Sequence, residues 1–230
     1  YEYTLEQIKK RDRKLKSPNP SQSGLNASTL KQKITRALSW EVLSKEQTIS
    51  AVLYGEELVE GGVRQSYFLE DPLIGVFQVL VLRPLLGRFR NAAILALHGH
   101  GGNPYGFSQR KLVRQLLKKG FVVGIPGFRA MEGLRQRFDP GQISTEGKLV
   151  FYQGPRIREP SERSIARELN ELGQPLMGLR VREAALSLKL LQSILELNSS
   201  RIALLGHSGG SAVANLLLRL ETGLAGAVLD

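Results

Sequence analysis

The sequence contains no cysteine, which removes both a disulfide framework and a thiol nucleophile and leaves the compartment open. Tryptophan occurs once and histidine three times, at His98, His100 and His207, so imidazole chemistry has three places to reside. No apolar run approaches the length of a bilayer span, and no membrane crossing is expected. A net charge of +11 could mean an anionic partner. Residues 1–50 hold ten basic against five acidic side chains, and residues 101–150 nine against three. No helix-turn-helix, RNP or zinc-finger pattern accompanies them, and they scatter along amphipathic segments. A solvated basic surface is therefore expected, with no nucleic-acid partner.

What is present is one sizeable core: 230 residues at 42% hydrophobic content suit one main domain. The chain opens on Tyr1, so an N-terminal piece is expected to be missing. Residues 1–16 suit an exposed helix with a narrow apolar stripe, and Ser17–Gly24 reads as a Pro/Ser linker. Leu30, Ile34, Leu38 and Val42 recur at four-residue spacing, which predicts a helix over Ser28–Leu43. Residues 1–50 are thus a helical N-terminal extension, and residues 51–230 the core.

From about Val52 the period changes. Tyr67–Leu69 and Val76–Leu82 read as an antiparallel strand pair, separated by Asp71-Pro72 and Gly75. Ala92–Leu97 is a buried strand, Phe107–Lys119 a helix, and Phe121–Ile125 a further strand. Alternation of this kind implies a parallel sheet with right-handed crossovers. Residues 126–174 lose periodicity and suit either a pocket-shaping segment or a solvated connector, with a short helix near Ser161–Leu172. An amphipathic helix then runs from Met177 to Leu195, with Glu183 as a surface carboxylate beside Arg180 and Arg182. Ala225–Leu229 begins a last strand.

The chemistry concentrates in two glycine-rich turns. In RIALLGHSGGSAVA (Arg201–Ala214) a four-residue apolar run meets Gly206-His207-Ser208-Gly209-Gly210 and then a helical face. The G-x-S-x-G pattern between strand and helix lifts a serine onto a strained turn, where small flanking residues are a steric need. The helix starting there aims free N–H groups and a positive dipole end at the same point. The second turn, His98-Gly99-His100-Gly101-Gly102, follows another buried strand, and glycines there let the backbone approach a substrate. A dinucleotide loop is excluded because Pro104 occupies the third glycine position, and no acidic residue adjoins the histidines to complete a metal site. No metal or other cofactor is expected.

LALHGHGGNPYGF (Leu95–Phe107), FVVGIPGFR (Phe121–Arg129), GQPLMGLRVREA (Gly173–Ala184) and RIALLGHSGGSA (Arg201–Ala212) together resemble the α/β-hydrolase superfamily. The resemblance is closest to the dienelactone-hydrolase-like and acetyl-xylan-esterase-like branch. It implies a mostly parallel sheet flanked by helices over residues 60–230, and a serine hydrolase acting on small-molecule carboxylic esters. It casts Ser208 as nucleophile and the N–H groups of His100 and Gly209 as the oxyanion hole. His98, Gly99, Gly101, Gly206, His207 and Gly210 support the two motifs. Such enzymes place an acid and then a histidine after the seventh and eighth strands, whereas this chain is expected to end after the sixth, with Asp230 as acid only in a minority arrangement. All three histidines precede that point, so this chain is expected to lack its base. A non-catalytic hydrolase-like binding protein and a prolyl-oligopeptidase-type peptidase are the alternatives.

Overall fold

The computed structural model describes residues 27–40, 50–85, 89–129 and 162–230. The expected helix over 1–16, the linker after it, and residues 130–161 of the long connection lie outside them.

Seven strands form one mixed sheet in the order β1-β2-β3-β5-β4-β6-β7. β1 (Ser50–Val59), β2 (Gly62–Asp71) and β3 (Gly75–Pro84) make an antiparallel meander, and β3 joins β5 (Val122–Pro126) antiparallel. β4 (Ala93–Leu97), β5, β6 (Ile202–Gly206) and β7 (Gly226–Leu229) run parallel. β1 is one strand more than the sequence reading expected, so the last strand is the seventh. Its alternation is broken by a bulge between Leu53 and Gly55 and by Glu56 and Glu57, and this hides the period of two.

The central strands β3 to β6 alternate between two cores, as a pleated ribbon requires. Val79 and Val81 of β3 face a cluster with Leu95, Ile202 and Leu204, while Leu80 and Leu82 face a second one with Val113, Leu117 and Ile125. Helix α1 spans Ala27–Ala37 and ends earlier than expected, because Ser39 turns into the left-handed region at φ 48°. The expected helix over 107–119 is two helices, α2 (Pro104–Ser108) and α3 (Lys111–Lys118). Asn103 caps the first by accepting from the Gly106 N–H, with Pro104 at its first turn. α4 covers Glu162–Glu171, near the expected Ser161–Leu172.

α5 (Leu176–Leu195) departs furthest from expectation. It is buried around most of its circumference from Arg180 to Leu188, and Glu183, read as a surface carboxylate, is fully enclosed. Residues on the polar stripe of an isolated helix here meet the loop after β5, the β2–β3 turn and α4, and are held by ion pairs rather than by water. α6 (Gly209–Leu220) follows β6 directly and packs Val213, Ala214 and Leu217 into the first core. No helix among the described residues is long and apolar enough to cross a membrane.

Candidate active site

The bend between β6 and α6 is built by close main-chain approach. A Cβ on Gly206 would lie 2.6 Å from the Ser211 Cα, and one on Gly210 would press into the Leu97 carbonyl oxygen and stand 2.7 Å from that of His98. No side chain fits either gap, so β4, β6 and the first turn of α6 can meet only with glycine at both positions. The bend leaves Ser208 at φ 52°, ψ −119°, a region that costs a non-glycine residue on the order of 1–3 kcal/mol. A serine at a helix N-cap normally turns its hydroxyl back onto the first free N–H groups. Ser208 makes no such side-chain cap, and the residue is exposed. Its own N–H is held by the Asp230 carbonyl at 2.8 Å, and its carbonyl receives the Ser211 N–H at 2.9 Å.

The loop after β4 lies directly against this bend. A Cβ on Gly99 would stand 2.8 Å from the Ser208 Cβ and 3.3 Å from its Oγ. The Gly102 N–H turns back onto the Gly99 carbonyl at 3.2 Å, and Gly101 takes φ 70° to close the turn. Among the described residues, neither the His100 nor the Gly209 main-chain N–H donates a hydrogen bond.

The three histidines have three separate environments. His98 is buried, its Nδ1 3.0 Å from the Gly99 carbonyl and its ring beside Phe107 and Phe128. His207 places Nδ1 3.0 Å from Asp230 Oδ2, with the Phe107 ring 6.4 Å away. His100 places Nε2 3.0 Å from Glu162 Oε1, the same oxygen that Arg180 Nη1 reaches at 2.8 Å. Burial alone would raise the Glu162 carboxyl; Arg180 and His100 outweigh it and hold the group below its usual range. Asp230 thus stands on His207 and supports the bend through its main chain, where Ser211 Oγ also donates to its carbonyl at 2.7 Å.

Sequence reasoning missed the ionic frame behind this loop. Glu183 Oε1 accepts from Arg129 Nε at 2.5 Å, Arg129 Nη2 donates to the Ile74 carbonyl, and Arg180 Nε to the Arg129 carbonyl. Burial pushes the Glu183 carboxyl up against the opposing pull of Arg129. Nothing in residue spacing announces these pairs, since each partner comes from a separate element. The frame ties α4 and α5 to the turn that carries His100.

Burial draws the His98 imidazole down from 6.5 to about 4. A folded-state value below the unfolded one contributes stability above pH 6.5, and that stability is lost as pH falls toward 4. The loss amounts to about 3 kcal/mol once both states are protonated. Glu183 titrates in the opposite sense, so the effect is read as a difference between proteins. Urea midpoints of the wild type should fall more steeply between pH 6.5 and 4 than those of His98→Gln. Parallel curves would contradict a buried neutral ring.

The fold has solved counterparts. A proposed acetyl xylan esterase from Bacteroides fragilis superposes with a TM-score of 0.65 at 19% identity, over 87% of this chain and 51% of that one. The chain has the α/β-hydrolase fold. Acetyl xylan esterase 1 from Thermoanaerobacterium sp. JW/SL YS485 gives 0.56 at 16% identity over 84% and 55%. The acetyl xylan esterase from Paenibacillus sp. R4 gives 0.56 at 14% over 98% and 63%. The chain therefore spans between 51% and 63% of the length of these three proteins. No protein-family model and no curated protein sequence matches it.

Proposed function

We propose that the chain carries the nucleophile and oxyanion half of a serine hydrolase acting on carboxylic esters. The observation that carries this reading is the exposed Ser208 at a strained bend, uncapped, with Gly99 closing over its side chain. In this reading Ser208 Oγ attacks the ester carbonyl, the alcohol leaves, and an acyl-enzyme forms on the serine. The N–H groups of His100 and Gly209 receive the negative charge that develops on the carbonyl oxygen, and the positive end of α6 adds to them. His98, Gly99 and Gly101 shape the first turn, and Gly206, His207 and Gly210 the second. The structural neighbours named as ester hydrolases support the reaction class at the level of fold.

The serine's proton must go to a base, and among the described residues no histidine nitrogen is hydrogen-bonded to Ser208 Oγ. The 230-residue chain by itself is therefore expected to hydrolyse p-nitrophenyl acetate no faster than its Ser208→Ala variant. A rate above that control, abolished by the substitution, would place the base within this chain. Where this chain is expressed together with a segment that supplies a base, a fluorophosphonate probe should label Ser208, as mapped by peptide mass, and the label should vanish in Ser208→Ala. No label at that peptide would favour a non-catalytic hydrolase-like binding protein.

A further inference from the structure

Apart from the serine, the turn after α1, the β2–β3 turn and the first turns of α5 enclose a cleft of about 250 Å3. Leu38, Trp40, Leu73, Ile74 and Leu179 make its apolar walls. On α5 the contributing positions are Pro175, Gly178, Leu179 and Arg182, spaced three, four and seven apart, so one stripe of the helix lines it. The main chains meet directly at one point, where a Cβ on Gly178 would strike the Leu38 carbonyl oxygen.

Two hydrogen-bond donors are left over there. Arg182 is 6% exposed, and Asp71 holds its Nε at 3.0 Å and its Nη2 at 2.9 Å, which fixes the plane of the guanidinium. Its Nη1 has no protein acceptor among the described residues and is not sealed from the cleft it lines. Among the described residues the indole N–H of Trp40 likewise has no acceptor, and it is not sealed from the cleft. Neither group can accept a hydrogen bond, so an occupant must bring the acceptors. The positive end of α5 opens at the same place, and Pro175 supplies it with no side-chain cap.

We propose that this cleft binds a small carboxylic acid with an apolar body. One carboxylate oxygen takes Arg182 Nη1, and the other takes the Trp40 indole N–H. The charge is favoured by the helix end, and the hydrocarbon packs on Leu73, Ile74 and Leu179. A carboxylate fits better than a single hydroxyl because it presents two acceptors to two donors, and charge-assisted bonds are the stronger kind. Size agrees: a dry cavity of roughly 150 Å3 already holds benzene, so a ring bearing one carboxylate fits here. The site does not depend on the ester chemistry proposed above.

The chain's one tryptophan makes the test direct, because a 15N-labelled sample shows a single indole N–H cross-peak and it comes from Trp40. Benzoate should move that peak saturably, with a Kd on the order of 0.1–10 mM, and benzyl alcohol, similar in shape without the charge, should bind about tenfold more weakly. Leu73 is 47% exposed on the turn, so Leu73→Glu adds a negative charge at the mouth with little risk to the fold. It should weaken benzoate at least about fivefold more than it weakens benzyl alcohol, which loses only the apolar contact with Leu73, the remaining cross-peaks reporting that the variant is folded. Ser208→Ala should bind benzoate like the parent. An indole peak that ignores benzoate, equal binding of benzyl alcohol, or a Leu73→Glu titration matching the parent would each overturn the proposal.

Discussion

Gly210→Ala should destabilise the protein by at least about 3 kcal/mol, although alanine in place of a helical glycine ordinarily gains about 1 kcal/mol. The sign reverses because the added methyl has nowhere to go. Its Cβ would enter the space of the Leu97 carbonyl oxygen and approach that of His98, and both are main-chain atoms. Leu97 is also paired in register with Gly206 across β4 and β6, so it cannot retreat without opening the parallel sheet beneath Ser208. Urea unfolding of the variant against the parent measures the cost. A change under about 1 kcal/mol would mean that the bend relaxes, and that the tight contact is not what holds the serine at its positive φ.

Asp71→Ala is expected to cost about 3–5 kcal/mol for a different reason. Asp71 and Arg182 are both buried, and removing the carboxylate leaves a guanidinium in the interior with no counter-charge. The same substitution strips the β2–β3 turn of the oxygen that accepts from the Leu73 and Ile74 N–H groups. Removing both charges together, as Asp71→Leu with Arg182→Met, should recover much of the loss, because a well-packed apolar pair carries no desolvation penalty. If the double variant is as unstable as the single one, the damage lies in the turn rather than in the orphaned charge.

The two glycine-rich turns were legible from residue types alone, since each motif names its own steric requirement. Gly206 and Gly210 flank the serine because a Cβ at either would strike main chain, and the structure shows which atoms it would strike. The four apolar runs that became β3 to β6 were equally plain, because strands buried on both faces have no polar alternation to confuse. β1 was not, because a bulge and two glutamates spoil its period. The ionic frame of Glu162, Arg180, Arg129 and Glu183 was illegible for a deeper reason. A charged residue on a helix reads as solvated until another element is known to cover it.

Local chemistry, then, was settled by the sequence: where the chain bends sharply, which runs must be buried, and that Ser208 stands between glycines at a strand's end. Pattern suffices for these because the forces involved act within a few residues. The meeting of Gly99 with Ser208, the assignment of each histidine to its own partner, and the burial of Arg182 and Glu183 were decided only by tertiary packing. Each of those contacts joins groups from separate elements, and whether a charge faces water or a counter-charge depends on what folds over it.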